Sequence, residues 1–121
     1  MLKEELKKFI ENNNDVKGVI IVNRVNGEPF EFAVKESISL SDINSISKIA
    51  VDMIKLYENT KVGGDLITLI FNSKEYTAII DDYQDNNKVL VLLFRPNFIT
   101  IRFVDESAKI LQNIINVIKS L

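Results

Sequence analysis

Three apolar runs crowd the second half of the chain, Leu66 to Phe71, Tyr76 to Ile80 and Val89 to Phe94, joined only by the links 72–75 and 81–88. A parallel crossover needs a dozen or more residues, usually with a helix inside it, so links this short predict an antiparallel meander. The first of these runs is apolar on both alternating faces, Leu66 and Ile70 on one and Ile67, Leu69 and Phe71 on the other, with Thr68 its one polar member. At the edge of a sheet such a strand invites pairing with another chain; inside a sheet it would need cover on both faces.

The first half supplies a second pair of strands and two helices. In GVIIVNRVNGEPFEF, Gly18 to Phe32, a branched run is followed by Asn26-Gly27, the dipeptide that best takes positive φ at both central positions of a two-residue type I′ hairpin turn. Phe30, Phe32 and Val34 then alternate with Glu31 and Lys35, the period of a strand with one wet face. Ahead of the hairpin, Leu2, Leu6, Phe9 and Ile10 recur at helical spacing until Asn12-Asn13-Asn14-Asp15. After it, Ser39 and Ser41 are N-cap candidates for a second helix running to about Glu58, with Asp42 at the positive end of its dipole. Its apolar stripe, Ile43, Ile46, Ile49, Ala50, Met53, Ile54 and Tyr57, is too wide for a helix that covers a single neighbour. Pro96-Asn97 breaks the fifth strand, Phe98 to Val104 has the β-propensity to extend it after a bend, and a last helix begins near Asp105 with Leu111, Ile114, Ile115, Ile118 and Leu121 on one side.

Composition limits what this framework can do. With 121 residues, residues 1–121 form one domain that buries roughly two-thirds of its unfolded surface and needs no staple. Fifteen basic residues against 17 acidic ones give a net charge of -2, which offers no electrostatic reason to expect nucleic acid as a partner. The absence of cysteine excludes disulfides and fits a reducing cytoplasm. Met1 leads directly into Leu2-Lys3-Glu4-Glu5 with no apolar signal core, and the apolar runs are too short to enter a bilayer, so neither secretion nor membrane insertion is expected.

Equipment for catalysis is sparse. The chain has no histidine and no cysteine, and its serines lack a partner base in a recognisable arrangement. Gly63-Gly64 is not followed by the Gly-Lys-Ser/Thr of a phosphate-cradling loop and reads as structural. Asp81-Asp82 with Asp85 misses the calcium-loop spacing and reads as a solvated turn. No catalytic residue, metal site or cofactor is therefore expected. One irregularity remains in the second helix: Val51 lies within the polar stripe Asn44, Ser47, Lys48, Asp52 and Lys55. It is either an ordinary exposed apolar residue or, flanked by Lys48 and Lys55, the centre of a docking surface for another protein.

The order helix, two strands, helix, three strands, helix, together with VNGEPF at the first turn, the Gly63-Gly64 pair and KVLVLLF before the terminal helix, resembles the roadblock family, also called the dynein light-chain family. The resemblance covers nearly the whole chain. It implies an α+β layered fold with a central five-stranded antiparallel sheet, the second helix on one face and the terminal helices on the other. It also implies association in pairs, as a homodimer or with a paralogous chain, with second helices side by side and third strands edge to edge. The interface would then include Ile46, Ala50, Met53, Tyr57, Leu66, Thr68 and Ile70, leaving Lys48, Val51 and Lys55 for a partner. Functionally the resemblance implies a non-enzymatic adaptor or regulator of a small Ras-like GTPase. Two alternatives stand beside it: a purely structural subunit of a motor or membrane-associated scaffold, and a small-ligand sensory domain, for which the sequence offers no convergent polar groups.

Overall fold

Strands β1 (Val16–Asn23) and β5 (Lys88–Phe94) bring the two ends of the sequence together and organise everything else. The computed structural model describes residues 1–60, 62–64, 68–82, 87–96, 98 and 104–120. With β2 (Pro29–Val34), β3 (Thr68–Asn72) and β4 (Thr77–Asp81), the two strands form a five-stranded sheet in the order β2-β1-β5-β4-β3. Every neighbouring pair is antiparallel. The meander expected of the last three strands is present, and the hairpin is joined to it by β1 pairing with β5.

Because successive side chains of a strand point to opposite faces, the central strands feed two separate cores. Val19, Ile21, Leu90, Leu92 and Phe94 turn to one side and meet α1 (Leu2–Glu11) and α3 (Val104–Lys119) through Leu6, Phe9, Ile10, Ile114 and Ile115. Ile20, Val22, Val89, Val91 and Leu93 turn to the other and meet α2 (Leu40–Thr60). Burying one such side chain fully contributes about 1.5–3 kcal/mol, so the β1–β5 pair is the main source of stability on both faces. This is the layered arrangement that the family resemblance implied.

Local signals fix the helix ends. The Ser39 hydroxyl accepts the Asp42 N–H at 3.1 Å, which makes Ser39 rather than Ser41 the cap of α2. At the end of α1 the Asn13 side-chain amide donates to the Phe9 carbonyl at 2.8 Å, satisfying an acceptor that the helix itself leaves open. Phe98 is buried and stacks on Phe94 with ring centroids 4.6 Å apart. Phe98 is not in a strand and Val104 opens α3 rather than closing an extended segment, while residues 99–103 lie outside the described residues.

The first turn differs from the expected one. The chain makes a longer loop from Arg24 to Gly27, closed by Asn23 N–H to the Glu28 carbonyl at 2.8 Å and Gly27 N–H to the Asn23 carbonyl at 2.9 Å. The cause is Asn23, whose side-chain oxygen accepts the N–H groups of Val25 at 2.8 Å and Asn26 at 3.4 Å and so starts the turn earlier. A register shift between Ile21 and Val22 accommodates the change. Asp81 is a second correction: it is a buried member of β4 and accepts the Thr68 hydroxyl at 2.8 Å, rather than part of a solvated turn.

Gly27 still needs its glycine, with φ of 74° and a would-be Cβ only 3.2 Å from Cδ of Lys48. Gly27→Val should therefore lower stability by about 1–2 kcal/mol, the cost of a left-handed backbone for a side-chain-bearing residue. Urea denaturation followed by circular dichroism checks this, and an unchanged midpoint would show that the loop relaxes at no cost.

Candidate interaction surface

Helix α2 carries three different surfaces on one cylinder. Ile43, Ser47, Ala50, Val51 and Ile54 form the row buried against the sheet. Two of these were expected to face solvent, Ser47 and Val51. Ser47 tolerates burial because its hydroxyl donates to the Ile43 carbonyl one turn back, at 2.7 Å. Val51 is only 1% exposed and packs in the same cluster as Ile20, Val91 and Leu93, so it does not form the centre of a docking surface. Ala50, expected at an interface, is likewise buried against the sheet.

The flank facing the β3–β4 hairpin is apolar. Ile46 and Met53 are half-buried in one cluster with Leu69, Phe71 and Tyr76, while Ile49 is 50% exposed and Leu56 70% exposed beside them. Ile49 was expected in the core, and Leu56 was given no role. Ile49, with Ile46 and Met53, is what made the apolar stripe too wide. Tyr57 is half-buried at the end of this flank and donates its hydroxyl to the Val62 carbonyl.

The opposite flank is polar and faces the β1–β2 loop. Lys48 lies beside Gly27, Lys55 donates to the Val25 carbonyl at 3.3 Å, and Glu58 pairs with Arg24. An open groove of roughly 640 Å³ runs between this loop and Leu40, Asn44 and Lys48. Lys48 and Lys55 are thus exposed as expected, but they frame a polar flank rather than an apolar centre.

The sheet has two edges, and they are finished differently. On β2, the Phe32 N–H is engaged by the Glu31 carboxylate at 3.1 Å, Pro29 has no N–H, and Lys3 of α1 sits 3.8 Å from Glu31 and over the Phe32 ring. On β3, Ser73 N–H donates to the Tyr76 carbonyl at 2.8 Å. Hydrogen-bonded positions alternate from there, so Leu69 and Phe71 bond to β4 while Thr68, Ile70 and Asn72 turn their backbone groups outward. Ile70 is 53% exposed at the middle of this edge. Thr68 and Asn72 have their side chains tied inward, Thr68 to Asp81 and Asn72 to the Thr77 hydroxyl at 2.6 Å. Of the remaining residues expected at an interface, Leu66 lies outside the described residues.

Chemistry finds little to work with. Among the described residues no group of three or more carboxylates is placed to hold a metal ion, and every buried side-chain nitrogen and oxygen has a partner. Arg95 is engaged by Asp15 at 2.7 Å and lies over the Phe98 ring. No helix among the described residues is long and apolar enough to cross a membrane.

A five-stranded antiparallel sheet with one long helix on one face and two on the other defines a layered α+β fold. Solved structures agree with that architecture. A Roadblock/LC7 domain from Streptomyces avermitilis matches with a TM-score of 0.70 and 12% identity, covering 96% of this chain and 96% of that one. Myxococcus xanthus MglB matches with a TM-score of 0.66 and 16% identity over 99% and 96% of the two chains. An MglB with a tetrameric arrangement matches at 0.67 and 10% identity over 89% and 79%. No family model and no curated protein matches the sequence. The chain has the Roadblock/LC7 fold.

Tyr76 reports on the apolar flank. Burial first, then the negative charges of Asp42 and Glu75, hold its hydroxyl above the ordinary tyrosine range. A raised folded-state value gives stability that is whole below the unfolded value of about 10 and is lost as pH rises past the folded one. Tyr76→Phe should therefore flatten the alkaline loss of stability, measured as melting temperature between pH 9 and pH 11.5, roughly bracketing that range. An identical alkaline profile in the variant would remove Tyr76 as its source.

Proposed function

We propose that this chain is a non-enzymatic interaction module that works as a pair, with itself or with a paralogous chain, and serves as an adaptor or regulator of a small Ras-like GTPase in the cytoplasm. The observation that carries the pairing is the continuity of one apolar strip, from Ile49 and Leu56 on α2 through Leu69, Phe71 and Tyr76 to the open edge of β3. Such a strip combines unpaired strand groups with exposed apolar area, the two features that a second chain would satisfy together. A tetrameric arrangement in one MglB of the same fold supports self-association as a use of this architecture.

The GTPase comes from the family resemblance in the sequence. In a pair joined through the apolar flank, the polar flank with Lys48 and Lys55 stays outside and would receive the GTPase. The chain contributes no evident group to attack or protonate phosphate, so any influence on hydrolysis would act by positioning the GTPase's own catalytic groups.

Two variants test the two halves of this reading. Leu56→Asp places an uncompensated carboxylate in the interface and should weaken pairing by roughly 3 kcal/mol or more, about a hundredfold. Because Leu56 is exposed in the single chain, its melting temperature as a monomer should hold. Tagged protein recovered from its native lysate, sized by chromatography with light scattering, decides this; a Leu56→Asp complex of wild-type size would reject the α2 flank as interface. Lys48→Glu with Lys55→Glu should leave the pair intact while lowering affinity for the recovered GTPase in a titration. A GTPase bound equally well by that double variant would move the docking face elsewhere.

A further inference from the structure

We infer that Asn26 is a self-modification site: the backbone nitrogen of Gly27 displaces the side-chain amide of Asn26, and water converts the product to aspartate or isoaspartate, placing a carboxylate on the rim of the groove that Lys48 lines. The inference stands apart from the pairing and GTPase readings.

The sequence singles out the position. Among the asparagines only Asn26 precedes a glycine, whose nitrogen no Cβ shields from close approach. The structure adds orientation. Asn26 is exposed, and its side-chain oxygen accepts the Glu28 N–H at 2.9 Å. That bond closes a ring made of the Asn26 side chain and the Gly27 backbone, so Cγ is folded back toward Gly27 instead of extending into water. A donor on the amide oxygen also polarises the carbonyl and meets the negative charge that develops there during attack. The amide nitrogen, which is the leaving group, points to the Glu28 carboxylate at 3.5 Å.

The step balances without an oxidant or a reductant. The Gly27 nitrogen gives up its proton and bonds to Cγ, the Cγ–Nδ2 bond breaks, and Nδ2 leaves with that proton as ammonia. Water then opens the resulting succinimide at either carbonyl. One opening gives aspartate; the other gives isoaspartate, in which the main chain runs through Cγ and is longer by a methylene group.

The nucleophile holds the reaction back. Gly27 is buried beside Lys48 and Val51, and its N–H donates to the Asn23 carbonyl at 2.9 Å, so the proton is lost only when the loop lifts. Asn23 sets how often that happens, because its side-chain oxygen holds the N–H groups of Val25 and Asn26. It is a positioning residue for the conversion. The same loop receives Lys55 at the Val25 carbonyl, so both lysines of the polar flank would sit beside a new negative charge or a lengthened backbone.

The test incubates the purified full chain in neutral and mildly alkaline buffer and follows its tryptic peptides by mass, with isoaspartate scored by enzymatic methylation. Peptide 25–35 should gain the mass of an amide-to-acid exchange, largely as isoaspartate, before any other asparagine-containing peptide does, and faster as pH rises. A peptide 25–35 that keeps its mass, or that trails the peptides carrying Asn44 or Asn72, would overturn the site. Asn26→Gln should abolish the change at this position. Asn23→Ala should convert several-fold faster, and Asn23→Asp, which keeps an acceptor for the same N–H groups, should return to the wild-type rate. Equal rates in all three chains would overturn the control by Asn23. Should Asn23→Ala fail to fold by circular dichroism, the wild-type chain in urea supplies the lifted loop, and conversion no faster there than in the folded chain would overturn the same point.

Discussion

One mismatch of width governs this structure. Five strands spaced about 4.8 Å apart make a sheet roughly 20 Å across, and a single helix with its side chains covers about 10 Å of it. The face that receives α1 and α3 has two helices for that span. The face that receives α2 has one, which packs over β1, β5 and β2 and leaves β3 short of cover. Leu69, Phe71 and Tyr76 are half-buried for this reason, and so are Ile46 and Met53, which lean over the same gap. The apolar strip is therefore a consequence of layer count rather than a local anomaly.

The two-faced centre of the sheet makes the mismatch unavoidable. β1 and β5 bury side chains on both sides, so neither face can be left to water, and the chain must divide three helices between two faces. An odd number cannot divide evenly. The conserved quantity across structures of this fold is the layering itself, since proteins only 10 to 16% identical to this chain overlay on it with TM-scores from 0.66 to 0.70. Many apolar side chains of similar volume satisfy the same two cores, which is why sequence similarity decays much faster than architecture.

Most of the fold was legible because it depends on periodicity and link length, which one sequence displays. The meander followed from short links, the helix α1 from Leu6, Phe9 and Ile10, and the cap of α2 from a choice between two serines. The face of α2 was not legible in the same way. Periodicity averages over the apolar residues it joins, and Ile46, Ile49 and Met53 pulled the inferred core row away from Val51 and Ser47 and toward the flank. A serine bonded to its own helix backbone counts as polar in any pattern yet occupies a core position. The first turn failed for a related reason. Asn-Gly is a strong hairpin signal, but Asn23 three residues earlier competes for the same N–H groups and wins. The edge position of β3 was only one of two readings until strand order was known, because a strand apolar on both sides suits an interior place equally well.

The unequal edges of the sheet set what can be called the valence of the molecule. A sheet with two receptive edges is a bifunctional monomer in the polymer chemist's sense: each addition exposes a fresh edge, and growth continues into a fibre. Here the Glu31 carboxylate occupies the Phe32 N–H, with Lys3 over the same residue, while among the described residues no strand pairs with the outer side of β3. That gives the two edges unequal valence. Two such units that join through their β3 edges leave only β2 edges outside, so a further strand would have to add where a carboxylate already holds the central N–H.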